Sequence, residues 1–205
     1  MDWTFLISAF VTLFVIIDPI GLTPLFAALT QGEDQAHRRA IAVRACLVAF
    51  GILAVFTFFG EAVLGFVGIS MAAFRIAGGI LLFLTALDML FERRSQRREG
   101  QAEEEERPDP SVFPLAIPLI AGPGSIASVI LLAGQAPGIG GMVATLGVAT
   151  VVLITVFALF LTAGLLERLL GRTGINVVTR LLGMLLAALS VQFVLDGLRS
   201  FGLGG

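Results

Sequence analysis

The chain has 205 residues, of which 57% are hydrophobic and 14% are charged, and its formal net charge is −2. A soluble domain carries about 25% charged residues, so this composition and a mean hydropathy of +0.99 exclude an ordinary soluble domain. Apolar runs that are long enough to cross a bilayer recur along the chain. The composition therefore predicts an all-α membrane protein with several transmembrane helices.

The first apolar run, Trp3–Thr30, contains the stretch FVIIDPIGLTPLF, in which a carboxylate, two prolines and a glycine interrupt the hydrophobic residues. A charged side chain at the centre of a bilayer costs about 3 kcal/mol. Pro19 lacks a backbone donor and pushes the preceding residue, Asp18, out of the helical region. We therefore expect a helix that ends near Ile17 and restarts either at Pro19 or one turn later, at Thr23–Pro24.

Five further crossings follow, and the fourth of the six is interrupted by a Gly-Pro-Gly sequence. The five are Ala40–Gly60, Met71–Phe91, Ser111–Gln135, Met142–Leu166 and Val177–Leu198. The one long polar segment, Glu92–Pro110, carries 12 of the 28 charged residues, and we interpret it as an exposed linker. The sequence thus predicts a first three-helix unit in residues 1–91, a cytoplasmic linker in 92–110 and a second three-helix unit in 111–205.

The two predicted units resemble each other in sequence. Pro19 aligns with Pro123 at an offset of 104 residues, and Arg75-x-x-Gly78 aligns with Arg180-x-x-Gly183 at an offset of 105. Because each unit has an odd number of crossings, the second unit is expected to be inverted relative to the first. Two broken hydrophobic helices at corresponding places in two such halves are typical of the binding site of a secondary transporter.

The placement of the arginines predicts the orientation. The loops after the first, third and fifth crossings contain nine arginines, whereas the other side has only Arg199. The nine are Arg38, Arg39, Arg93, Arg94, Arg97, Arg98, Arg107, Arg168 and Arg172. Because arginine and lysine accumulate in cytoplasmic loops, we expect both termini outside the cell, with the linker 92–110 in the cytoplasm.

The two breaks differ in charge, because Gly122 stands where Asp18 stands in the first unit. Aspartate is a preferred helix N-cap, so Asp18 either only caps the restarting helix or also binds an ammonium, another cation or a proton. At the second break, the restarting helix offers unpaired N–H groups and the positive end of its dipole, which attract anions. Ser125 either caps that helix or binds a ligand. The pair of breaks suits a zwitterion, unless both breaks are merely kinks.

The predicted substrate-binding residues all lie at these two breaks. They are Asp18, Pro19, Gly21, Thr23, Pro24, Gly122, Pro123, Gly124 and Ser125.

Motifs of soluble enzymes are missing from the sequence. It has no Cys/His cluster that could hold zinc, no phosphate-binding GxxxxGK[ST] motif and no GxSxG motif. We therefore expect no catalytic residues, no metal site, no cofactor and no nucleic-acid partner. Transport driven by ATP hydrolysis in this chain is not supported either.

Three stretches of the chain, DPIGLTPLF, PLAIPLIAGPGSIASVI and FRIAGGILLFLTALDML, resemble the MarC family of bacterial and archaeal inner-membrane proteins, also called the neutral amino acid transporter family. The resemblance covers nearly the whole chain. It implies six transmembrane helices, a location in the cell inner membrane and transport of small neutral amino acids. It also implies that the paired DP-x-G and AGPG motifs contribute the site.

These observations together predict a secondary transporter of small neutral amino acids that works by alternating access around two broken helices. Its partners would be the amino acid, membrane lipid and a coupling proton or sodium ion. Two alternatives stay open at this point. One is a passive channel or exporter for other small solutes, and the other is a membrane scaffold or sensor that transports nothing.

Overall fold

The computed structural model describes residues 3–91, 109–136 and 138–202, and every regular element in these ranges is helical. The elements are α1 (Trp3–Ile17), α2 (Pro19–Leu29), α3 (Gln35–Val67), α4 (Met71–Leu90), α5 (Ser111–Ile120), α6 (Pro123–Ala133), α7 (Ile139–Leu161) and α8 (Ala163–Ser200). The α5 segment is irregular, with some backbone hydrogen bonds that span five residues and two residues in an extended conformation, and the other seven elements are α-helices.

Five stretches are long and apolar enough to cross a membrane. They are Trp3–Leu29, Gln35–Val67, Met71–Leu90, Ile139–Leu161 and Arg168–Ser200. A sixth crossing results if α5 and α6, which are bent by 54° relative to each other, form one broken span. The prediction of an all-α membrane protein with several transmembrane helices is therefore confirmed.

The α3 helix is longer than the crossing predicted for it, Ala40–Gly60. It begins after Asp34, whose side chain accepts a hydrogen bond of 2.7 Å from the amide of His37. It ends at Gly68, which has a φ of 82° and stops the helix in the left-handed conformation. The helix extends beyond the predicted limits because both of its caps lie outside the apolar run.

The α8 helix also begins earlier than the crossing predicted within it, Val177–Leu198. The prediction of a loop around Arg168 and Arg172 is wrong, because these residues are helical. The helix is interrupted at Gly171, where φ is 60° and ψ is 176°. Glycine adopts this conformation without the steric penalty that other residues incur, so one glycine separates a short helical segment, 163–170, from the long segment, 172–200.

Helices of the first predicted unit pack mainly against helices of the second. The α4 helix packs on α8 and the α3 helix packs on α7. The α1 and α2 helices both contact α7, while α5 and α6 both contact α3; α2 also contacts α8, while α6 contacts α4. The largest buried cluster lies among α1–α3 and α5–α7 and includes the stacked rings of Phe26 and Phe160, whose centroids are 4.3 Å apart.

Glycines bring α4 and α8 into close contact. A Cβ atom on Gly183 would lie 3.3 Å from the carbonyl oxygen of Ala86, and one on Gly197 would lie 3.1 Å from that of Ala72. The later residue of α8 thus meets the earlier residue of α4, so the two helices are antiparallel. Small residues allow membrane helices to approach backbone to backbone.

Two charged residues, Arg44 and Glu61, bound the apolar part of α3, and the 16 residues between them carry no charge. Arg44 forms an ion pair with Asp109, whose Oδ1 also accepts a hydrogen bond of 3.0 Å from the amide of Ser111. This pair therefore ties the beginning of α5 to α3.

The predicted linker, 92–110, lies outside the described residues apart from its last two positions. The division of the chain into units at 1–91 and 111–205 stays a prediction.

Candidate functional site

Asp18 occupies the single residue between α1 and α2. Its φ of 56° and ψ of 64° are left-handed, and it is the one non-glycine residue with positive φ among the described residues. Aspartate tolerates this conformation better than most residues. A following proline disfavours the right-handed helical conformation. The chain therefore leaves the helix at Asp18 and re-enters it at Pro19, whose fixed φ suits a first helical position.

The carboxylate of Asp18 caps α2. Its Oδ1 accepts a hydrogen bond of 3.0 Å from the amide of Gly21, and its carbonyl oxygen accepts one from the amide of Leu22. The residue is 1% exposed. The positive end of the α2 dipole stabilises the charge, whereas the negative end of the α1 dipole opposes it.

Position 21 requires glycine because there is no room for a side chain beside the carboxylate of Asp18. A Cβ atom at this position would lie 2.2 Å from Oδ2 of Asp18. Its backbone conformation does not itself require glycine, because its φ is not positive. Any larger side chain would push the carboxylate out of its capping position.

Thr23 and Pro24 lie inside α2 and do not begin it. The hydroxyl of Thr23 donates to the carbonyl oxygen of Pro19 at 2.8 Å, and the residue is fully buried. Pro24 is half-buried within the helix. The alternative in which the helix restarts at Thr23–Pro24 is therefore wrong.

The second break has a different construction. Phe113 and Ile117, which precede Pro114 and Pro118, have extended φ and ψ angles inside α5, as expected for residues before proline. Gly122 is also extended and caps α6 without a side-chain hydrogen bond. A Cβ atom on Gly122 would lie 2.4 Å from the carbonyl oxygen of Pro118, so the irregular α5 backbone excludes any larger residue there.

The first amides of α6 lack acceptors. The first backbone hydrogen bond across this turn runs from the amide of Ile126 to the carbonyl oxygen of Gly122. Pro123 has no N–H, and no acceptor in the described part of the chain pairs with the amides of Gly124 and Ser125. Ser125 is buried but is not the cap, so the capping alternative for this residue is wrong.

The two breaks lie next to each other. A Cβ atom on Gly124 would lie 3.3 Å from Cγ2 of Ile16, two residues before Asp18, and 3.5 Å from Cδ2 of Leu82. Gly124 is half-buried and Pro123 is exposed. The fold therefore brings the uncapped N-terminus of α6 against the last turn of α1, the turn that precedes the buried carboxylate of Asp18.

Thr179 on α8 is a further member of this site that the motifs did not identify. Its hydroxyl donates to Oδ1 of Asp18 at 3.5 Å, and the residue is 6% exposed. The sequence contains one indication of this role. The corresponding residue of the first predicted unit, 105 positions earlier, is the apolar Phe74. Polarity that is present in one unit and absent in the other marks Thr179 as it marks Asp18.

This arrangement can bind opposite charges at two adjacent places. A carboxylate can accept hydrogen bonds from an ammonium, and unpaired helix N-terminal amides can donate to an anion. The described residues contain no group of three or more His, Cys, Asp or Glu side chains that could hold a metal ion.

Comparison with known proteins extends the resemblance seen in the motifs. A family model described as MarC family integral membrane protein matches residues 3–201. The UPF0056 membrane protein YvbG of Bacillus subtilis is 39% identical over 204 residues, which cover 97% of this chain and 96% of the relative. The UPF0056 inner membrane protein YhgN of Escherichia coli is 40% identical over 195 residues, covering 95% and 96%. A UPF0056 membrane protein of Aquifex aeolicus is 39% identical over 198 residues, covering 95% and 92%. No solved structure matches the chain.

Proposed function

Because the chain belongs to the MarC family of integral membrane proteins, we propose that it is a secondary transporter of small neutral amino acids, located in the cell inner membrane. The observation that carries this proposal is the contact of Gly124 with Ile16, which places the two breaks side by side. The ammonium of the substrate binds at Asp18, and its carboxylate binds at the amides of Gly124 and Ser125. A neutral amino acid supplies both charges within a few ångströms.

The packing of the helices supports an inverted repeat. Exchange of α1–α4 with α5–α8 converts the most extensive packing pairs into one another, whereas the smaller α6–α7, α1–α6 and α1–α8 contacts have no counterpart of similar extent. The α2–α8 contact becomes α6–α4, and the α1–α7 contact becomes α5–α3. The antiparallel α4–α8 pair is its own counterpart, as a two-fold axis in the membrane plane requires. Such repeats allow alternating access, in which one unit rocks against the other around a central site.

Asp18 also supports coupling to a proton or a sodium ion. It is a buried carboxylate at a helix break, and both the C-terminal end of one half-helix and the N-terminal end of the next point at it. Ion-coupled transporters use such breaks for the coupling ion as well as for the substrate.

Transport by the purified protein in liposomes tests the proposal. Uptake and counterflow are measured with a panel of labelled amino acids that includes glycine, alanine, serine, leucine, glutamate and lysine. We expect counterflow for the small neutral members and none for the charged ones. Flux without counterflow would indicate a channel. Absence of flux for every compound would contradict the proposal of a transporter and would favour the alternative of a scaffold or sensor.

The orientation is tested with two matched serine-to-cysteine variants in a protein whose single cysteine, Cys46, is replaced by alanine. Ser95 lies in the linker and Ser200 ends α8. With both termini outside, a membrane-impermeant thiol reagent labels Ser200→Cys in intact cells and labels Ser95→Cys only after permeabilisation. The reverse pattern would contradict the proposed orientation.

A further inference from the structure

The buried threonines of the described chain fall into two groups. Four donate their hydroxyl to the carbonyl oxygen four residues earlier in their own helix, at 2.7–2.9 Å. These are Thr23, Thr30, Thr57 and Thr145. Back-bonding of this kind is the usual local solution for a threonine inside a helix. Thr12 and Thr179 do not follow it.

Thr179 is the one whose hydroxyl bonds to a different element. It donates to Oδ1 of Asp18, 161 positions away in the chain. The same oxygen accepts the capping hydrogen bond from the amide of Gly21. One carboxylate oxygen therefore holds two helices, with α2 bound through an amide at 3.0 Å and α8 bound through a hydroxyl at 3.5 Å.

The two bonds differ in strength. Hydroxyl-to-carboxylate bonds are usually about 2.5–2.7 Å long, so the contact from Thr179 is stretched and weaker than the capping bond. An arriving ammonium brings several donors to the same carboxylate. The bond from Thr179 is the easier of the two to displace.

We infer that Thr179 is a positioning residue that links occupancy of Asp18 to the position of α8. This inference rests on the proposed function. In the empty protein the hydroxyl of Thr179 holds α8 against the first break, and the substrate ammonium releases it. The break at Gly171 separates residues 172–200, which carry Thr179, from the preceding helical segment. The released part of α8 is the stretch between this break and Gly183, from which point the helix packs closely on α4.

The substitution Thr179→Val tests the link because valine keeps the shape of the side chain and removes the hydroxyl. The ammonium then has no hydroxyl to displace. We expect alanine to bind about threefold more tightly, as for the loss of one competing hydrogen bond. Turnover in counterflow should fall about fivefold, because binding no longer releases α8. Thr179→Ser keeps the hydroxyl and should restore both values.

Thr57→Val is the matched control. It removes a buried hydroxyl that bonds only to its own helix, at the carbonyl oxygen of Leu53. We expect its alanine affinity and turnover to stay at wild-type values. A merely structural role for Thr179 would give the same small change in thermal stability in both variants, with no opposite shifts of affinity and turnover.

Amide hydrogen exchange measured by mass spectrometry provides a readout that needs no substrate. Without any amino acid, Thr179→Val should raise exchange in residues 172–185, while Thr57→Val leaves it unchanged. Alanine added to the wild-type protein should raise exchange in the same residues. Equal exchange in the wild-type protein and Thr179→Val would overturn the inference, as would alanine that binds without changing exchange. If the wild-type protein binds no amino acid but Thr179→Val still raises exchange, the proposed substrate fails and the link between Asp18 and α8 stands.

Discussion

The two breaks occupy corresponding places in the two predicted units, yet they are built in opposite ways. At the first, a carboxylate in the left-handed conformation caps the restarting helix, and α1 and α2 together still form one 27-residue span. At the second, a glycine stands at the cap position, the two helical parts are bent by 54°, and the first amides of α6 have no acceptor among the described residues. The carboxylate at the first break pairs with one amide of the restarting helix, that of Gly21, whereas no side chain caps the helix at the second break.

The difference shows how one sequence repeat can produce two kinds of helix break. Both breaks begin their second helix with a proline, so the backbone is interrupted in both. What differs is the residue before the proline. Aspartate adds a charge and consumes the amide of Gly21, whereas glycine adds nothing and exposes the amides that follow. The four predictions below test this contrast, beginning with the largest expected effect.

Removal of the charge at the first break should have the largest effect. Asp18→Asn keeps a side chain that caps well and accepts the left-handed conformation, so the protein should fold and insert. Loss of the ionic partner of the ammonium should cost about 3 kcal/mol, or roughly a hundredfold in affinity. Counterflow of alanine and thermal unfolding in detergent measure the two effects. Asp18→Ala, the control, should lose about 1 kcal/mol of capping. Normal transport by Asp18→Asn would leave Asp18 as a cap only.

A side chain at the second break should discriminate between ligands. In Gly124→Val, the new atoms meet Ile16 and Leu82 and obstruct the first amides of α6. Binding of alanine should weaken about tenfold, as for the loss of one charge-assisted hydrogen bond. The affinity for alaninamide, which has no carboxylate, should fall by a smaller factor. Calorimetric titration measures the affinity of both ligands. Gly124→Ala, which adds a smaller side chain, should produce a smaller loss of affinity. Equal losses for both ligands would argue for general misfolding of the site.

Alanine at the two glycines nearest the caps should separate function from folding. In Gly21→Ala, the new Cβ collides with a side chain, the carboxylate of Asp18, which can rotate away. In Gly122→Ala, it collides with the backbone carbonyl of Pro118, which cannot move alone. Gly21→Ala should therefore lose transport with a small change in melting temperature. Gly122→Ala should lose about 2 kcal/mol of folding stability, as overpacking usually costs. The opposite pattern would contradict the model of the two breaks.

The smallest expected effect concerns Thr12, whose buried hydroxyl has no hydrogen-bond partner in the part of the chain that is described. Thr12→Val replaces this hydroxyl with a methyl group of similar size. It should raise stability by about 1 kcal/mol, because an unsatisfied polar group is removed. Thermal unfolding measures the change, with Thr145→Val as the control that breaks an existing bond. A loss of stability in Thr12→Val would show that the hydroxyl has a partner.

The helical class and the coarse arrangement of crossings could be predicted because they depend on local signals. Long apolar runs specify membrane helices, and the Asp-Pro pair marks the position where α1 ends and α2 begins. The apolar run predicts too short a helix for α3, because the capping residues, Asp34 and Gly68, lie outside that run. The irregular form of α5 follows from two X-Pro pairs, Phe113-Pro114 and Ile117-Pro118, which are also a local signal.

The part of the site that depends on distant contacts could not be predicted in this way. Thr179 reaches Asp18 only because α8 packs beside α2, and no periodicity within α8 indicates it. The need for glycine at position 21 could not be predicted either, because the clash that excludes other residues is with the capping rotamer of the Asp18 side chain. Sequence patterns locate helix breaks well. They do not reveal which side chains meet at them.

The charge-free section of α3 has a consequence for the lipid around the protein. Its 16 residues between Arg44 and Glu61 rise by about 24 Å, whereas the hydrocarbon core of an average bilayer is about 30 Å thick. The bilayer must become thinner at this helix, or the side chain of Arg44 must extend toward the headgroups. Either response costs more free energy as the acyl chains lengthen. Thicker bilayers should therefore strain α3 and, through the Arg44–Asp109 pair, the start of α5.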